Sequence, residues 1–258
     1  MTTRQKWMIP LAFVALAAAI GAGTPANAAP SAAPGTSEVY SVTRNADGTV
    51  TESVYTPAPG ISAATLASKL TARGVTGLAV RSATAEVSAQ VAACSNGTAR
   101  TWASAETCFV RWSYNGAVRP IINFVDSSSA QWPVGRAVTR WNNVSGIDSI
   151  YRPASSGCDG APVHCVKVSS YSAADGSAAV TSRTLNAAQT YYSTASVKLN
   201  NYYAGNETDR WASACHELGH VLGLDHNTST TSCLYTSQQA GVSKYPNGDD
   251  EGLLERYY

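Results

Sequence analysis

The chain reads as an α/β (α+β) protein in two parts, and three observations carry that reading. Runs of alternating, β-branched residues are interleaved with amphipathic helical runs, and no internal repeat is present. All six cysteines lie between residues 94 and 233, whereas the stretch before residue 90 has neither Cys nor His. With 44% hydrophobic and only 14% charged residues, the composition is that of a globular protein, and the stretch 94–258 is long enough for one domain with its own core. A formal charge of +1 without any basic stripe argues against nucleic acid, a polyacid or a membrane surface as partner.

In chain order, residues 1–28 read as a signal peptide. Arg4 and Lys6 precede an apolar run at 8–20, and Ala26-Asn27-Ala28 offers a small-residue cleavage site. The run is too short to span a bilayer, so the mature protein is expected outside the cytoplasm, with no membrane attachment. Residues 29–90 read as a pro-segment. A Pro/Ala linker at 29–36 leads to two β-like runs, EVYSVTR and TVTESVYT, flanking the hairpin signal Asn45-Ala46-Asp47-Gly48. Ser62 then caps a helix that Gly74 ends.

Residues 91–258 read as the catalytic domain. A strand is expected at 121–125 and a helix opening at Trp132-Pro133, with Ala137, Val138, Trp141 and Val144 on its apolar face. Further strands are expected at 164–169 and 196–200. A helix over 209–222 should point Trp211, Ala214, Leu218, Val221 and Leu222 at the core, and a last helix starts in the acids Asp249, Asp250 and Glu251. An even number of cysteines in an exported chain favours three disulfides. Fifteen connectivities are open; the sequential set Cys94–Cys108, Cys158–Cys165 and Cys215–Cys233 is favoured because each pair closes a short loop.

Residues 216–226, His-Glu-Leu-Gly-His-Val-Leu-Gly-Leu-Asp-His, carry the chemistry. His216 and His220 are four apart and share one helix face, so two imidazoles can bind one metal ion. Gly223 ends the helix where a left-handed residue is cheapest, and the returning chain can bring His226 to the same ion. Three nitrogens leave a fourth position for water, the pattern of a catalytic zinc site rather than a closed structural one. Glu217 stands beside the metal as general base. The remaining histidine, His164 between Val163 and Cys165, is expected in a loop, away from the metal. No loop has calcium-ligand spacing, and no CxxC pair suggests a zinc thiolate.

The stretch resembles the extended zinc motif HExxHxxGxxH of the metzincin metallopeptidases, matched at every defining position, and is nearest in pattern to their secreted bacterial, matrixin-like members. That resemblance implies a mixed twisted sheet, an active-site zinc helix and a C-terminal helix, with zinc held by His216, His220 and His226. It implies an endopeptidase acting on protein or peptide substrates, working as a monomer. It also implies that the strand before the zinc helix, here 196–200, is the antiparallel edge on which substrate adds as one more strand. The chain departs from the pattern in lacking any Met after Met8. Ser232-Cys233-Leu234-Tyr235 stands where matrixins have a Met-bearing turn, so Leu234 is expected to floor the site, and a carboxylate of the Asp249-Asp250 pair to anchor structure near that turn. The cysteine-bearing pro-segment motif of matrixins is missing. Two other readings stay open: a zinc-containing binding module without turnover, against which Glu217 argues, and a zinc amidase acting on cell-wall peptides.

Overall fold

The structure, a computed structural model, describes residues 38–81, 94–104, 107–158, 160, 163–236 and 241–258. The expected signal peptide, the linker and the boundary at residues 90–91 lie outside them.

The N-terminal hairpin forms as its turn residues dictate. Strands β1 (Glu38–Arg44) and β2 (Val50–Pro57) pair antiparallel around Asn45–Gly48. There the Asp47 carboxylate accepts the Thr49 backbone N–H at 3.0 Å and Gly48 takes a φ of 82°. Helix α1 (Ala63–Ala72) starts at Ser62, whose hydroxyl accepts the Thr65 N–H, and β3 (Leu78–Arg81) returns antiparallel to β1. Val39, Ala63, Leu66 and Leu70 make a small core between this helix and its strands, separate from the main one.

After a two-residue pairing of β4 (Ser95–Asn96) with β5 (Ala99–Arg100), the chain builds a larger layer. Strand β6 (Ile121–Asp126) leads through α2 (Val134–Trp141) into β7 (Asp148–Pro153), parallel to β6. Strands β8 (His164–Tyr171), β9 (Ser177–Leu185) and β10 (Tyr192–Asn200) follow, then helices α3 (Glu207–Val221) and α4 (Gly248–Tyr257). One mixed eight-stranded sheet results, in the order β3-β1-β2-β9-β10-β8-β6-β7. Trp112, Trp141, Phe124, Leu218 and Leu222, all buried, fill the main core.

Several expectations change here. Residues 196–200 belong to β10, an interior strand pairing parallel with β8 and antiparallel with β9, not the antiparallel edge. Its antiparallel neighbour is β9, whose Ser/Ala/Thr-rich sequence has no strong strand signature, and whose other side is taken by β2 along its length. Polar β7 also escaped the periodicity argument. His164 is not a loop residue: it opens β8, is buried against the Trp112 ring at 4.6 Å, and its Nε2 donates to the Ser113 carbonyl at 2.7 Å. Helix α3 begins at Glu207, earlier than apolar spacing suggested, because Asn206 and Asp209 form a reciprocal capping box. The three disulfides pair sequentially, Cys94–Cys108, Cys158–Cys165 and Cys215–Cys233.

Candidate functional site

The site starts from the last turn of α3. His216 and His220 lie on one face, and each ring is fixed through its Nδ1, which donates to a backbone carbonyl: Cys233 O for His216 and Leu224 O for His220, both at 2.9 Å. Spending Nδ1–H this way leaves both Nε2 atoms as lone-pair donors pointed inward, the tautomer a metal requires. They stand 3.0 Å apart.

The turn after α3 supplies the third ring. Gly223 has a φ of 98°, and a Cβ there would meet the Val110 carbonyl oxygen at 2.6 Å, so both backbone and space demand glycine. The reversed chain places the His226 ring centroid 5.4 Å from that of His216 and 5.3 Å from that of His220. Asp225 stays outside the group and accepts the His226 backbone N–H.

A fourth donor comes from a part of the chain where none was expected. Glu38, the first residue of β1, sets its Oε1 3.1 Å from His216 Nε2 and 3.7 Å from His220 Nε2, and its Oε2 2.9 Å from His226 Nε2. All four residues are buried, and their donor atoms lie within 4.8 Å of one another. His226 Nε2, although near Glu38, makes no hydrogen bond. Three imidazole nitrogens and a carboxylate facing one point are the donor set of a tetrahedral zinc site, so the residues fit that ion. Burial pushes the Glu38 carboxyl up, but His226 and His220, with hydrogen bonds from His216 and His220, hold it well below the usual range. Burial likewise pulls His226 down, and Glu38 outweighs it and lifts that ring to about 9. The cluster therefore attracts positive charge strongly.

Glu217, also buried, has both oxygens held by hydroxyls. Thr181 of β9 donates to Oε2 at 2.5 Å, and Thr56 of β2 lies 2.7 Å from Oε1 and 3.0 Å from Glu38 Oε1. Strand β2 runs antiparallel to β9, with Glu52 opposite Arg183, Val54 opposite Thr181 and Thr56 opposite Ala179. The side of β9 next to Glu217 is thus taken by β2.

Beneath the rings the chain is fixed from several sides. Leu234 is fully buried under α3, so close that a Cβ on Gly219 would meet it at 2.7 Å. Asp250 at the start of α4 accepts the Ser232 hydroxyl at 2.5 Å and the Asn227 amide at 2.8 Å, tying the last helix to the segment after His226. The Cys215–Cys233 bridge ties the same segment to α3.

The structure thus brings His216, His220, His226 and Glu217 together, leaves His164 apart, and adds Glu38, Thr56 and Thr181. Glu52 had a visible signal, an acid on the same face of an alternating strand as Val50 and Val54. Glu38, at a strand start, had none.

In comparison with known proteins, the chain matches the family profile described as Matrixin over residues 122–258. No curated protein matches it.

Proposed function

The chain belongs to the matrixin family of zinc-dependent metallopeptidases, and we propose that it is a secreted endopeptidase made as a zymogen, with His216, His220 and His226 as zinc ligands, Glu217 as general base and residues 29–90 as pro-segment. The observation that carries this reading is the convergence of three buried imidazoles and Glu217 beneath β9, a strand whose one side already holds the extended β2.

Zinc bound by the three imidazoles supplies Lewis acidity to the scissile carbonyl and to a water. The chain's own groups do the rest. Cys233 O and Leu224 O hold two rings in the ligating tautomer. The Thr181 hydroxyl steadies Glu217, which takes the water's proton and returns it to the leaving amine. The β9 backbone aligns a substrate strand where β2 now lies. In the zymogen Glu38 takes the place a water needs, and Thr56 occupies the Glu217 oxygen that would bind it. Three disulfides suggest an extracellular setting, and among the described residues no helix is long and apolar enough to cross a membrane.

The test is the protein released into medium, incubated with casein and, separately, with purified cell wall. Casein should be cut, activity should vanish with 1,10-phenanthroline and return with zinc, and mass spectrometry should find a mature N-terminus downstream of β3. Glu38→Ala should shed the N-terminal segment sooner than wild type. Cutting of cell wall alone would make the enzyme an amidase, and activity surviving full metal removal would end the zinc mechanism.

A further inference from the structure

Arg183 lies in the middle of β9 and is fully buried although nothing apolar there calls for a cation. Its Nη1 donates to the His220 carbonyl at 2.9 Å and lies 3.4 Å from the Tyr192 hydroxyl. The guanidinium rests 3.8 Å above the Trp102 ring. Nε and Nη2 make no hydrogen bond. A clamp on the His220 carbonyl uses one nitrogen, so that structural duty leaves Nε and Nη2 without a hydrogen bond. Buried donors without acceptors, on a charged group, are costly and rare.

The nearest anion is on the covering strand. Glu52 stands opposite Arg183 in the β2–β9 register, its Oε2 3.6 Å from Nη2, and the same oxygen accepts the Trp102 indole N–H at 2.6 Å. Arg183 and Trp102 thus form a donor pocket occupied by a carboxylate that arrives on β2. When β2 leaves β9, that carboxylate leaves with it and the pocket needs another. The strand that replaces β2 on β9 is the substrate.

Resting on the peptidase reading above, we infer that Arg183 and Trp102 form a specificity pocket for an acidic side chain on the amino-terminal side of the scissile bond. Orientation follows from β2 itself. It runs antiparallel to β9, and Thr56, which reaches Glu217, comes after Glu52 in the chain. A substrate lying the same way puts its acidic residue in the pocket before its chain reaches the catalytic carboxylate. Alternation along the strand restricts the pocket to residues of the Glu52 parity. The preferred substrate is a peptide with Asp or Glu a few residues upstream of the cut, and a basic residue there meets like charge.

The secreted enzyme, matured from the full-length chain, tests this with peptides identical except for Glu, Gln, Ala or Lys, walked along the positions upstream of one cut. At one position Glu should exceed Gln in kcat/KM by about 10-fold or more, the scale of a hydrogen bond to a charged group, with Lys poorest. In Arg183→Gln the Glu-to-Gln ratio should fall to within about 2-fold, and in Arg183→Lys a preference for Glu should persist. Equal cleavage of all four peptides by wild type, or better cleavage of Lys, overturns the pocket and leaves the peptidase standing. Cleavage of none overturns the peptidase reading and the pocket with it. Should Arg183→Gln fail to be secreted, the wild-type series still decides.

Discussion

The histidine cluster has a roof and a floor built on different principles. Its floor, from α3 to α4, is locked by a disulfide at Cys215–Cys233, by Asp250 gripping Ser232 and Asn227, and by Leu234 pressed against Gly219. The roof, β1 to β3 with α1, keeps a small core of its own, sends Val50 into the main core and Tyr40 and Val54 against Trp102, and meets β9 through polar rungs as well. Thr51 bonds Thr184 at 3.1 Å, Ser53 bonds Ser182 at 2.8 Å, and charged or hydroxyl groups fill the contact with the histidines. A polar joint exchanges readily for water, because a typical hydrogen bond contributes only about 1 kcal/mol net. Val50, Tyr40 and Val54 add an apolar part to the joint, but among the described residues no disulfide crosses it. On the proposed zymogen reading, the difference separates a part that is shed from a part that keeps imidazoles still.

The largest expected effect sharpens that division. Glu217→Ala should lower casein cleavage by at least about 10²-fold, the scale of a positioned acid–base, and leave the roof attached in the secreted protein while zinc content is kept. Near-normal turnover would move the base elsewhere. Next comes the floor: Cys215→Ser with Cys233→Ser should cost about 3 kcal/mol by the loop-closure estimate. Calorimetry should show a lower Tm, and dialysis a faster loss of zinc, than removal of Cys158–Cys165 produces. If zinc retention is unchanged, the floor does not need its bridge.

Asp250→Asn should cost about 1–3 kcal/mol, since an amide turns a donor toward groups that themselves donate, lowering Tm by roughly 2–4 °C for each kcal/mol in a chain of this size. At Leu234, Met should cost less than about 1.5 kcal/mol because volume and polarity are kept, while Asp should damage folding and zinc retention by burying charge; an active Asp variant would place Leu234 outside the floor.

The smallest effect is in the pH dependence. Backbone and side-chain hydrogen bonds from Thr98 hold the Asp249 carboxyl below its ordinary value. A carboxyl lowered in the folded state adds stability above its unfolded pKa and loses it as pH falls through the folded one. Tm curves of wild type and Asp249→Asn should therefore stand apart near neutral pH and converge in acid. Curves that stay parallel would remove Asp249 from the acid response.

How far the sequence could be read follows the same division. The floor was legible because its signals are local: His216 and His220 share a helix face by spacing, Gly223 marks the reversal, and the sequential cysteine pairs close short loops. The hairpin and α1 of the roof were legible for the same reason, through Asn45–Gly48 and the Ser62 cap. What stayed hidden is long-range. Glu38 reaches His216 across most of the chain, and only the pairing of β2 with β9 brings it there. Strand β9 hid because Ser, Ala and Thr fit a strand sandwiched between neighbours without announcing one. The same gap led to the assignment of edge status to 196–200.

The hydroxyl rungs between β2 and β9 bear on solubility. A strand stripped of its neighbour exposes a row of backbone N–H and C=O groups, the usual template for edge-to-edge aggregation. Were β2 to leave, the bared edge would carry Ser182 and Thr184, side chains that water wets at once. On the zymogen reading, that edge is polar enough to receive a peptide strand without inviting a second copy of the chain.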